Sequence, residues 1–203
     1  MARTVGSAAD ETRQRILDIA VDLFIEQGYA GTSVRDISER LGMTKGSLYY
    51  HFASKEDVLT ALVTPLVEDL DAFLDAADTT PHDSREATRG LVEHLVGLLD
   101  KHGVLLRSLM GDPSVLHGLA IKSSMPHRIV RVQRALAASD DPADLLRGRC
   151  ALGVIHAGAI APRWDTDGIP QPDKQVELLR RRLSNPEKTF VVDATMAVLA
   201  VQF

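Results

Sequence analysis

Apolar positions along this 203-residue chain recur at helical spacing, and no stretch keeps the strict alternation of a half-buried strand. From Asp10 to Gln27 the set Ile16, Ile19, Ala20, Leu23 and Phe24 falls on one face, and Gly28 ends the helix. Val34, Ile37 and Leu41 recur next, with Ser33 and Asp36 at capping-box spacing, so a short helix fits Ser33 to Leu41 and stops at Gly42. Thr44 caps a second short helix that runs to His51. Ser54 and Asp57 open a longer one through Leu59, Leu62, Leu66, Leu70 and Phe73, with Pro65 interrupting one hydrogen bond and kinking it. Asp75 to Asp83 reads as a loop. Asp83 and Glu86 then cap a helix whose apolar stripe is Leu91, Leu95, Leu98 and Leu99. Asp112-Pro113, Asp141-Pro142 and Ser184-Asn185-Pro186 each place a cap before a first-turn proline, and Pro126 divides the region from Ser114 to Ala138. Ala161 to Lys174, with three prolines and Gly168, is the longest loop. The pattern is all-α: a tail over residues 1–9 expected to be disordered, a three-helix unit over 10–53, and a helical domain over 54–203 joined to it by the helix over 54–75.

The helix from Thr44 to His51 is too short and polar to bury itself, since only Leu48, with the flanking Met43 and Phe52, anchors it inward. Its other face must meet something outside. The two short helices around Gly42 form a helix-turn-helix, in which Lys45, Gly46 and Ser47 stand where a major-groove helix presents its first residues to base edges. Tyr49, Tyr50 and His51 follow as polar-tipped rings at the height of flanking phosphates. Lys55 breaks a local rule by placing a cation at the positive end of a helix dipole, and an anion such as a DNA phosphate docked there would reverse the sign. The candidate DNA-contacting set is Ser33, Arg35, Thr44, Lys45, Gly46, Ser47, Tyr49, Tyr50, His51 and Lys55. An ordinary solvated helix face is the plain alternative.

Gly28-Tyr-x-Gly-Thr-Ser-Val-Arg-Asp-Ile followed by Gly42-Met-Thr-Lys-Gly-Ser-Leu-Tyr-Tyr-His-Phe-x-Ser-Lys-Glu resembles the TetR family of bacterial transcriptional regulators. The likeness covers about the first 60 residues; beyond them the chain is similar only in being helical and of suitable length. The resemblance implies a homodimer on a double-stranded DNA operator, with a C-terminal domain that dimerises, binds a small-molecule effector and loosens the DNA grip. It implies no other cofactor, and it leans towards repression.

Charge qualifies this picture. The net charge is −5, and residues 1–60 carry nine acids against seven bases, so a nonspecific nucleic-acid coat is excluded and binding must depend on a few placed contacts. With 45% hydrophobic and 25% charged residues the chain can build a real core. One cysteine, Cys150, in an apolar run without cations reads as an inert buried thiol and fits a reducing cytoplasm. No uncharged run reaches the roughly 20 residues of a membrane span.

Cys150 to Pro162 and Thr195 to Phe203 carry no formal charge and are apolar all round. A helix in a small domain buries one side on its own core, so the extra apolar side points to a partner subunit, and both segments are taken as the dimer seam. Arg180-Arg181-Arg182 reads as a solvated face. All three tyrosines precede residue 51, so an aliphatic effector pocket with scattered polar tips is expected, with His94, Met110, His117, Met125, His127, His156 and Trp164 as candidate lining residues. No histidine pair has the i, i+4 spacing of a face-on metal site, and no phosphate loop or catalytic constellation is visible. An all-α enzyme, or a helical adaptor that kept the motif and lost DNA, are the competing classes.

Overall fold

The structure, a computed structural model, describes residues 5–79, 84–110, 115, 124–137, 139–161 and 172–201. Among these, all regular structure is helical: α1 (Val5–Gly31), α2 (Val34–Arg40), α3 (Lys45–His51), α4 (Lys55–Thr79), α5 (Arg85–Lys101), α6 (Gly103–Met110), α7 (Met125–Leu136), α8 (Pro142–Ala159), α9 (Pro172–Arg180) and α10 (Asn185–Leu199). Asp112-Pro113, His117, Trp164 and most of the loop after Ala161 lie outside the described residues.

Local chemistry sets most of the helix ends. Ser33 accepts from the Asp36 N–H while the Asp36 carboxylate accepts from the Ser33 N–H at 2.7 Å, the reciprocal cap expected from their spacing. The bond donated by the Ser33 hydroxyl at 2.7 Å and, after it, the one from the Ser33 N–H hold the Asp36 carboxyl below its usual range. Gly42 ends α2 at φ +65°, a conformation that costs any side chain about 1–2 kcal/mol. Asp141 caps α8 through the Ala143 N–H at 2.9 Å, and Ser184 and Glu187 cap α10.

Two cores share α4. Its first half adds Val58, Leu59 and Val63 to a cluster of Ile16, Ala20, Leu23, Phe24, Ile37, Leu48 and Phe52, while Leu66, Leu70, Phe73, Leu74 and Ala77 enter a second cluster with α5, α7, α8 and α10. Leu105 and Leu109 of α6 also join the N-terminal cluster, so that unit is closed by two helices from beyond residue 53. Arg107 of α6 is only 5% exposed, and its guanidinium donates to the Ala159 carbonyl at 2.8 Å and to those of Leu179 and Arg181 at 2.9 Å, where α8 and α9 end.

Several expectations are corrected. Residues 5–9, read as part of a disordered tail, are already helical, and Thr12 Oγ1 donates to the Ala8 carbonyl at 2.8 Å. The supposed loop from Asp75 continues as α4 to Thr79, because Ala77 is buried and Asp78 pairs with Arg131 of α7 at 2.6 Å. Ser84, not Asp83, is the cap of α5. Pro65 does lie inside α4, as expected, and sits on its exposed side. Cys150 is exposed rather than buried, since α8 turns Gly148, Ala151, Ile155 and Ala159 inward instead. Gly148 is buried so closely against α7 that a Cβ there would strike the Gln133 carbonyl.

Candidate nucleic-acid interface

Leu48 is fully buried and is the anchor of α3, whose other side chains turn outward. Thr44 caps it by accepting the Ser47 N–H at 3.2 Å. Lys45, Gly46, Ser47 and Tyr49 are exposed, and Tyr50 keeps 83% of its surface in solvent. His51 is half-buried edge-on to Tyr50, with ring centroids 5.3 Å apart. Tyr50 is the largest apolar exposure on the described surface of this unit, and none of the other described residues covers it. Gly46 sharpens the point. A Cβ there would meet only Thr44 Oγ1, at 4.0 Å, so the fold itself has no need of glycine at a position where glycine costs a helix up to about 1 kcal/mol relative to alanine. An external surface approaching the backbone would need it.

The charges at the site are distributed differently from the sequence reading. Arg35 is paired with Glu39 at 2.5 Å, and Arg40 with Glu26 of α1 at 2.7 Å. The Arg40 bond, outweighing partial burial, lowers the Glu26 carboxyl. Among the described residues Lys45 makes no ion pair. Lys55 departs most from expectation: its ammonium donates to the Tyr29 and Thr32 carbonyls, both at 2.8 Å, and lies 4.1 Å from the centre of the Tyr29 ring. Its charge at the start of α4 is thus compensated from within and does not by itself call for a phosphate. Ser33 and Thr44 serve as helix caps, with both side chains exposed.

The effector candidates that fall among the described residues are spread over separate helices. His94 stands on α5, exposed and edge-on to Phe73 at 5.3 Å; His127 is exposed on α7; His156 is half-buried on α8; and Met125 packs partly against the second core. No hydrogen bond, ion pair or ring contact joins these histidines among the described residues. The Met110 side chain, His117 and Trp164 lie outside them. His102 is 9% exposed with Nε2 2.6 Å from Asp69 Oδ2, a contact without a local signal in the sequence because the partner lies on α4, 33 residues away. No group of three or more metal-ligating side chains is gathered among the described residues. No helix among them is long and apolar enough to cross a membrane.

Residues 16–62 match the family described as "Bacterial regulatory proteins, tetR family". The chain is 44% identical over 62 residues to the HTH-type transcriptional regulator AcrR of Shigella flexneri, covering 30% of this chain and 29% of that protein. With several such relatives the shared stretch is less than half of the relative's length. The HTH-type transcriptional repressor Rv1474c of Mycobacterium tuberculosis is similar over more of the chain, 30% identical across 73% of this protein and 80% of that one. The fold resembles that of the TetR family transcriptional regulator PfmR from Thermus thermophilus, with a TM-score of 0.56 at 24% identity over 91% of this chain and 97% of that one. The helix-turn-helix match and the relative aligned along most of its own length together show that this chain belongs to the tetR family of bacterial regulatory proteins.

Proposed function

We propose that this protein is a sequence-specific transcriptional regulator that reads a palindromic DNA operator as a homodimer and lets go of it when a small molecule binds the second helical unit. The observation that carries the reading is the outward face of α3, held by Leu48 alone and presenting Lys45, Gly46, Ser47, Tyr49 and Tyr50 to solvent. Lys45, Gly46 and Ser47 are assigned to base edges, and Tyr49, Tyr50 and His51 to phosphates. Arg35 and Lys55 would join by exchanging their internal partners for phosphate oxygens. A DNA target puts the protein in the cytoplasm.

The twofold is assigned to the outer faces of α8 and α10. Leu146, Cys150, Gly153 and Ala157 line one exposed side of α8, and Phe190, 73% exposed, stands out from α10 with Ala197 and Val201 beyond it. Small residues on one helix beside a large exposed ring suit close helix packing between subunits. Repression is the preferred sign, in line with the repressor named above. A second unit with its own core, which DNA reading does not need, supports the effector role.

The test is selection of duplexes from a randomised pool by the full-length protein, followed by mobility-shift titration. Enrichment of a palindrome with half-sites about one helical turn apart is expected, and Lys45→Ala should weaken binding to it. Failure to enrich any sequence at low salt would remove the proposal, and a catalytic turnover of a bound compound would replace it.

A further inference from the structure

Among the described residues the N-terminal unit holds six basic side chains, and four of them are spoken for: Arg35 by Glu39, Arg40 by Glu26, Lys55 by two carbonyls, and Arg13 by an aromatic ring. The last arrangement differs in kind. The Arg13 Cζ lies 4.6 Å from the centre of the Phe52 ring, and among the described residues no carboxylate forms an ion pair with it. A ring attracts a cation through its face without using any of its N–H groups, so Arg13 is positioned while all its donors remain available.

The place where it is held matters. Phe52 is the residue that ends α3, its N–H bonded to the Leu48 carbonyl at 3.0 Å and its side chain buried. Arg13 itself is exposed on α1. An exposed, un-neutralised guanidinium is therefore fixed at the C-terminal end of the helix that points Tyr49 and Tyr50 outward, where the helix dipole also favours a cation. A forked donor set at that height matches the oxygens of a phosphate. The unit as a whole is acidic, so such a placed charge is not a sample of a generally basic surface.

We propose that Arg13 is a phosphate-contacting residue of the DNA interface, held in position by Phe52, so that the surface extends from α3 across to α1. This rests on the reading of α3 as the DNA-facing helix. The test uses the full-length protein and the duplex enriched by the wild type from a randomised pool, with affinity measured between 50 and 200 mM salt. Loss of one phosphate contact lowers the slope of log K against log salt by about 0.9, which corresponds to a deficit of about fifteenfold at 50 mM and about fourfold at 200 mM. Arg13→Gln should show that deficit on the enriched duplex and a similar one on an unrelated duplex, with a thermal melt lowered by no more than about 4 °C. Arg13→Lys should restore most of the slope. If Arg13→Gln binds with the wild-type slope while Lys45→Ala is impaired, Arg13 is a cover for Phe52 and the proposal is overturned. If the wild type enriches no duplex, the reading of α3 falls first and takes this contact with it.

Discussion

Replacing Lys55 with alanine separates two accounts of a cation placed at the wrong end of a helix dipole. If the ammonium exists only to meet phosphate, its removal leaves the free protein as stable as before, or more so, because alanine relieves a dipole clash worth a few tenths of a kcal/mol up to about 1 kcal/mol and is the better helix former. The structure gives the opposite sign. Two charge-assisted hydrogen bonds at 2.8 Å hold the carbonyls of Tyr29 and Thr32 across the break between α1 and α2, and the Tyr29 ring lies 4.1 Å away. Bonds to a charged donor are worth about 1.5–3 kcal/mol each and a half-exposed cation–π contact about 0.5–1 kcal/mol. Taking the low end, because Lys55 is half-buried, and setting the dipole relief against it leaves Lys55→Ala less stable by about 2 kcal/mol. In a chain of this length that is a fall of about 4–8 °C in the melting of the N-terminal unit. Urea denaturation followed by the fluorescence of the tyrosines reads it without DNA. A midpoint equal to or above that of the wild type refutes the assignment of Lys55 to internal capping.

Gly46→Ala should raise the urea midpoint slightly, by up to about 1 kcal/mol in stability, because its Cβ enters open space, yet weaken operator binding in mobility-shift titration; intact binding would remove the close approach. Gly153→Arg should leave the monomer folded, since nothing lies within 4 Å of its Cβ, while light scattering falls to the mass of one 22.1 kDa chain; a dimer that persists would move the seam elsewhere. The Asp71 carboxyl accepts from Arg128 Nε at 2.7 Å and Nη2 at 2.6 Å, which holds its pKa below the ordinary 3.8. A depressed carboxylate contributes stability above its unfolded pKa and loses it as pH falls through the folded value, so the difference in urea midpoint between wild type and Asp71→Asn should be full at pH 7 and shrink below about pH 4. A gap that is the same at pH 7 and pH 3 would count against the link between α4 and α7.

The chemistry that acts within four residues is legible in the sequence. Ser33 with Asp36, Thr44 before Lys45 and Asp141 before Pro142 mark helix starts because the bond they make is to their own neighbours. Readings failed where a partner came from far along the chain. Asp75 and Asp78 look like solvated loop residues until Arg131, more than fifty positions on, keeps them on a helix. Lys55 looks unpaired until the carbonyls of Tyr29 and Thr32 fold back over it. Cys150 lies in an apolar run, but composition says nothing of which side of α8 it takes. The outward face of α3 was legible because an eight-residue polar stretch with one leucine has a single way to bury that leucine. The effector site was not, because pocket linings are assembled from separate helices without a local signature.

The guanidinium of Arg107 ties off the ends of α8 and α9 together, from a helix that leans on α1. One side chain terminating two segments makes their fraying all-or-none, because losing it strands three carbonyls at once. Amide deuterium uptake in the last turns of α8 and α9 should accordingly rise in step, with a common rate, rather than spread gradually inward from either end.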